Sequence, residues 1–133
     1  MRKNTTSLVS FPYYFNGSDY FPVIPLVFII GGKRIRSQAL VDSGATISIF
    51  GEEVAETLGI EIEKGEQTML GGVGGRIVGY IHTLPIRVAG KEFLCPIVFS
   101  REYLVSFNLL GREEFFKQFS ITFEEKINRL TLE

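Results

Sequence analysis

The stretch Ala39-Leu40-Val41-Asp42-Ser43-Gly44-Ala45-Thr46 carries a carboxylate out of an apolar run and straight into a turn of small residues. Aspartate is scarce elsewhere: of 15 acidic residues, only Asp19 and Asp42 are aspartates. A carboxylate set among Ala, Leu, Val and Gly bears a desolvation cost unless something satisfies or uses its charge. From the residues alone, Asp42 either closes a turn through its own side chain or is a reactive group presented at a strand end.

Upstream, residues 23–30 are apolar and rich in β-branched side chains. Gly31-Gly32 makes a turn with Lys33 and Arg34 exposed, and residues 35–41 return as a second strand, so the pair reads as a β-hairpin. Downstream, residues 47–50 read as a strand and residues 52–58 as a short helix. Glutamates crowd the helix's first turn, where its dipole favours negative charge, and Gly59 stops it. Residues 60–63 alternate like a short strand. Residues 67–70 and 76–84 flank the run Gly71-Gly72-Val73-Gly74-Gly75, and residues 86–88 and 91–99 form a hairpin about Ala89-Gly90. Asn108-Leu109-Leu110-Gly111 leads into a helix over 112–119 with Phe115, Phe116 and Phe119 on one face. A self-contained hairpin, 120–123 with 127–132, closes the chain. Residues 1–21 read as an irregular, aromatic N-terminal segment and residues 22–133 as one domain. Many short strands with two short helices predict a mainly β, barrel-like fold.

The length of 133 residues suits one domain, and 45% apolar residues suffice for one core. A net charge of −1 favours neither nucleic acid nor an anionic membrane as partner. The single Cys95 excludes an intrachain disulfide and reads as a buried core thiol. One histidine, His82, cannot build a histidine-rich metal site and reads as a strand residue facing water. The basic, then polar start lacks the apolar core of a signal peptide, and the apolar stretch 21–30 is too short for a bilayer and holds Pro22 and Pro25. The expectation is a soluble, cytoplasmic protein with no cofactor, metal, nucleic-acid or membrane partner.

The glycine run is a hairpin tip on either a bland or a functional reading. As a phosphate cradle it lacks the Lys-Ser/Thr and the following helix. Leu109-Leu110-Gly111 by itself is compatible with plain core followed by a helix start.

Taken in order, four features resemble the retropepsin-like aspartic proteases, single-domain relatives of the two-lobed pepsins. They are the apolar run ending in Asp42-Ser43-Gly44-Ala45, the short helix ending at Leu58-Gly59, the glycine-rich tip at 71–75, and Leu109-Leu110-Gly111 before a helix. The resemblance covers 22–132 and is nearer to cellular and bacterial than to retroviral members. It implies a retropepsin-like barrel with a flap hairpin and an aspartic endopeptidase activity on extended peptides. Asp42 would be catalytic, with Ser43 and Gly44 supporting its loop. Ala45, Thr46, Gly71, Gly72, Val73, Gly74 and Gly75 would contact substrate. Leu109, Leu110, Gly111 and Arg112 would support the loop and the subunit interface, and Ile49, Val73, Ile77 and Leu104 are candidates for the cleft wall.

In that family two carboxylates share a proton and activate a water between them. Asp19 lies in a polar turn and matches no such pattern, so the second carboxylate would be Asp42 of another copy, in an obligate homodimer. In retroviral members an arginine at the position of Arg112 pairs with an acid at the position of Thr46, so that ion pair does not carry over. The alternative is a catalytically silent peptide-binding or dimerisation module of the same fold.

Overall fold

A computed structural model describes residues 7–72, 75–104 and 106–133. The elements in chain order are β1 (Val9–Pro12), β2 (Tyr14–Phe15), β3 (Tyr20–Phe21), β4 (Val23–Ile30), β5 (Lys33–Val41), β6 (Ser48–Gly51) and α1 (Glu52–Leu58). There follow β7 (Glu66–Gly72), β8 (Gly75–Val88), β9 (Lys91–Ser100), β10 (Leu109–Leu110), α2 (Phe115–Gln118), β11 (Ile121–Glu124) and β12 (Arg129–Leu132). No helix among the described residues is long and apolar enough to cross a membrane.

The fold is mainly β, as the strand pattern predicts. Seven strands form one sheet in the order β4-β5-β10-β6-β9-β8-β7. It curls until β4 also meets β8, at Val27↔Arg87 and Phe28↔Ile86. Curling gives the inward positions a common interior: Ile24, Leu26 and Phe28 of β4 alternate into it, and Ala39 and Val41 of β5 join them. Phe28, Phe50 and Phe99 are fully buried there, with Phe28 and Phe50 edge to face at 5.4 Å. Each such side chain contributes about 2–3 kcal/mol of burial. Phe115, also fully buried, packs edge to face on Phe116 and against Phe93 and Phe119.

Several local expectations change. The segment before Val23 is not irregular throughout: β1 pairs antiparallel with β12, and β2 with β3. The C-terminal hairpin is therefore not self-contained but forms a three-stranded sheet, β1-β12-β11. Residues 62–64 form a 3-10 turn and not a strand, because Gly65 must pass close to β8: a Cβ there would lie 2.5 Å from the Ile81 carbonyl oxygen. The second helix shortens to four residues, since Glu114 takes φ 66° and breaks the turn before it. Helix α1 keeps its expected bounds and its Gly59 stop, in the left-handed conformation. His82 does not simply face water. Its Nε2 lies 2.9 Å from the Ile62 carbonyl oxygen and its ring packs edge to face on Phe99. Cys95 is fully buried, and burial above all pushes its thiol up to about 11.

Candidate active site

The loop carrying Asp42 begins where β5 runs out. Two backbone bonds grip that end from opposite sides: Val41 N–H to Pro22 O (2.9 Å) and Asp42 N–H to Leu110 O (3.0 Å). Strand β10 arrives late in the chain yet inserts between β5 and β6, parallel to the first (Leu109↔Leu40, Leu110↔Val41) and antiparallel to the second (Leu109↔Ile49). Leu110 is fully buried beneath the loop. Leu109, Leu110 and Gly111 thus lie under the loop.

Asp42 is half-buried, and its Oδ1 accepts the Gly44 N–H at 2.8 Å. Donation to an ionised acceptor makes this a comparatively strong bond that fixes the carboxylate's orientation. Gly44 does not use the left-handed backbone region that a sharp glycine turn would suggest. Its value is room: a Cβ there would stand 3.2 Å from Asp42 Oδ1. Ser43 and Thr46 are exposed and Ala45 is half-buried.

The far side of the loop is tied to residues 111–113. Arg112 N–H donates to Ala45 O (2.9 Å) and Glu113 N–H to Thr46 O (2.8 Å). Two backbone bonds therefore tie residues 45–46 to 112–113 without a Thr46–Arg112 ion pair. The Arg112 side chain is exposed and forms no ion pair among the described residues. Gly111 runs so close to the loop that a Cβ would lie 2.5 Å from the carbonyl carbon and oxygen of Ile47 and 2.9 Å from Ala45 O.

Two polar residues escape a reading of the sequence. Ser48 is fully buried, and its Oγ accepts the Gly111 N–H at 3.0 Å. Its only sequence signal is a hydroxyl between Ile47 and Ile49. Asn108 accepts the Gly51 N–H on Oδ1 (3.1 Å), donates from Nδ2 to Gln38 O (3.2 Å), and takes the Leu40 N–H on its backbone oxygen (2.8 Å). It joins the ends of β5, β6 and β10, contacts no local motif reveals. Beside the loop, Tyr103 donates to Phe107 O at 2.8 Å. Burial first, then the Asp42 charge, pushes its phenol up to about 12.

Asp42 opens on a cleft of about 610 Å³ whose lining includes Gly44, Ala45 and Thr46 from its own loop and Thr68, Met69, Leu70 and Gly71 from β7. Ile47, Ile49, Ile81, Leu109 and Glu113 complete the wall. Ile49 thus reaches the cleft, whereas Ile77 and Leu104 are not in its wall, and Leu104 is 89% exposed. Gly71, Gly72 and Gly75 lie in the β7–β8 ribbon, with Gly72 opposite Gly75. Val73 and Gly74 lie outside the described residues. Asp19 sits in the exposed turn between β2 and β3, its N–H bonded to Asn16 Oδ1, and is absent from the cleft wall. No three His, Cys, Asp or Glu side chains among the described residues are grouped to hold a metal.

The corner after β9 is braced by Arg101, which donates to Glu63 (2.7 and 3.0 Å) and to Glu52 of α1 (2.8 Å). Chiefly through the Arg101 hydrogen bonds, the Glu63 carboxyl is held down from its ordinary 4.5 to about 2. A carboxyl lowered on folding stabilises the fold above its unfolded value, and that contribution is lost as pH falls through the folded one. Glu63→Gln should therefore lower Tm at neutral pH, and its gap to wild type should close between about pH 4.5 and 2. Thermal melts across that range test this, and a gap that widens on acidification refutes the assignment. All three groups are at the surface, so the effect is small.

Asp42 thus projects from a loop it closes through the Gly44 N–H, over strand β10 threaded beneath it and beside an open cleft. Residues 27–113 match the aspartyl protease family, to which the chain belongs, and its fold is retropepsin-like. Among similar proteins, a retropepsin-like aspartic protease from Rickettsia conorii superposes with a TM-score of 0.71 at 21% identity, covering 96% of this chain and all of that one. DNA damage-inducible protein 1 of Neurospora crassa is 32% identical over 82 residues, 57% of this chain. The match spans 18% of that protein's length.

Proposed function

We propose that the protein is an aspartic endopeptidase that cleaves extended polypeptides as a homodimer, with Asp42 of each subunit forming the catalytic pair. The observation that carries this reading is the solitary Asp42 at an open cleft, oriented by the Gly44 N–H, in a member of the aspartyl protease family. Hydrolysis without a covalent intermediate needs one carboxylate to take a proton from water and another to give one to the scissile carbonyl. Two like charges held together cannot both ionise easily, so the pair retains one proton and supplies both roles. One chain brings one aspartate to the cleft, and a two-fold axis supplies the second.

The cleft wall suits a peptide. Thr68 to Gly71 belong to β7, an outer strand of the sheet, along which an extended substrate can pair as an added strand. Ile47, Ile49, Ile81 and Leu109 offer apolar surface to substrate side chains. On this reading the β7–β8 ribbon is the flap, and Ser43, exposed beside Asp42, faces the partner loop.

Dilution tests the dimer. Specific activity on an unfolded, labelled casein should fall as subunit concentration drops through the dimer dissociation constant, in step with the dimer fraction seen by sedimentation. Cleavage by a strict monomer would end the model. A protein that binds unfolded polypeptide across acid to neutral pH without cutting it would be the silent module instead.

A further inference from the structure

Strand β8 outruns its neighbour. It spans Gly75–Val88, but β9 accompanies it only from Tyr80, which pairs with Phe99. Residues 75–79 therefore pair with β7 alone, and no strand among the described residues covers their other edge. An uncovered edge leaves backbone donors and acceptors to find partners elsewhere. At Val78 both are met by side chains from the corner where β9 ends. Ser100 Oγ donates to Val78 O at 2.6 Å, and Glu102 Oε1 accepts the Val78 N–H at 3.0 Å. Glu102 N–H in turn donates to Ser100 Oγ at 3.1 Å, so the hydroxyl is used as both donor and acceptor. Two side chains thus imitate one more rung of β9.

The corner is well founded. Ser100 is 1% exposed, and Arg101 between the two residues is tied to Glu52 and Glu63. Next to the rung, Gly79 lies against Val98 so closely that a Cβ would stand 2.4 Å from Val98 Cγ1. Across the ribbon, Val78 faces Met69, and Met69 with Thr68, Leu70 and Gly71 lines the Asp42 cleft. Among the described residues, Val78 is where side chains of the body bond the projecting part of the ribbon.

We propose that Ser100 and Glu102 are positioning residues for peptide hydrolysis: they clamp Val78 and so hold β7 at the height where it grips a substrate. The role in hydrolysis rests on the protease reading above; the clamp itself does not. Loss of the clamp lets the ribbon ride away from the cleft, which weakens substrate binding and leaves the Asp42 loop untouched.

The test compares Glu102→Ala, Ser100→Ala and Glu102→Gln, following hydrogen exchange at the Val78 amide and the steady-state cleavage of labelled unfolded casein. One hydrogen bond to a charged acceptor sets the scale, about tenfold in an opening equilibrium. Glu102→Ala should speed Val78 exchange roughly five- to tenfold and raise KM several-fold, with kcat within about twofold. Ser100→Ala should do the same. Glu102→Gln keeps an acceptor oxygen and should restore both readouts toward wild type. Unchanged Val78 exchange in Glu102→Ala, no rescue by Glu102→Gln, or a fall in kcat at constant KM would each overturn the proposal. If wild-type protein cuts nothing while exchange responds as stated, the clamp stands and the protease reading falls.

Discussion

Replacing Asp42 with asparagine should abolish peptide hydrolysis while leaving fold and assembly intact. Asparagine keeps the shape of the side chain and an oxygen for the Gly44 N–H, which Asp42 Oδ1 accepts at 2.8 Å. It can neither take a proton from water nor hold one for the carbonyl. A single general acid or base contributes about 10²–10⁴-fold, and the homodimer loses both, so kcat/KM should drop by at least about 10⁴-fold. Stability should move little, because Asp42 is half-buried and forms no ion pair among the described residues. Mixing variant and wild-type subunits sharpens the outcome. If one carboxylate from each subunit is required, equal amounts after exchange should retain about a quarter of the activity of wild type alone; independent subunits would retain about half. Glu113 is the other acid in the cleft wall. Turnover that survives in Asp42→Asn and vanishes in Glu113→Gln would reassign the catalytic carboxylate.

Gly111→Ala should be the most damaging conservative change beneath the site. The added methyl meets backbone, not a pliable side chain: the Ile47 carbonyl carbon and oxygen at 2.5 Å and Ala45 O at 2.9 Å. Both residues belong to the loop that presents Asp42, so relief of the clash must shift either that loop or β10. Overpacking of this kind costs about 1–3 kcal/mol and occasionally more, which for a domain of this size is a fall in Tm of roughly 4–11 °C. Activity should suffer beyond the loss of folded protein, since misplacing a reacting group by about 1 Å can cost on the order of 10²-fold. Gly71→Ala is the matched control for stability alone, since its Cβ would meet nothing within 4 Å while Gly71 itself lines the cleft. Calorimetry on both variants, with casein cleavage by Gly111→Ala, decides the matter. Equal melting temperatures for Gly111→Ala and wild type would show that the close approach is not a constraint.

What could be read from the sequence divides by range. The β4–β5 hairpin turns on Gly31-Gly32, and α1 carries its glutamates and its Gly59 stop within a dozen residues, so short-range chemistry reveals both. Asp42, Gly44 and the Leu109-Leu110-Gly111 run stood out through their ordered resemblance to the retropepsin-like proteases; taken singly they fit a turn and a plain core run as well. Ser48 and Asn108 were not, because their partners Gly111, Gly51 and Gln38 lie 57 to 70 residues away. The Glu102 clamp is hidden for a related reason: it replaces a strand partner that β9 fails to supply, and only the register exposes the vacancy. Strand β1 looked shapeless because its order comes from β12, at the other end of the chain.

That last pairing also determines how the molecule responds to force. Val9 faces Leu132, Ser10 faces Thr131, Phe11 faces Leu130 and Pro12 faces Arg129. The first strand and the last therefore run antiparallel with their outer ends side by side. Tension applied between the two ends loads the rungs in succession, as in opening a zipper, and never shears them together. The first rung to take the load already holds Leu132 and the third holds Leu130, both fully buried.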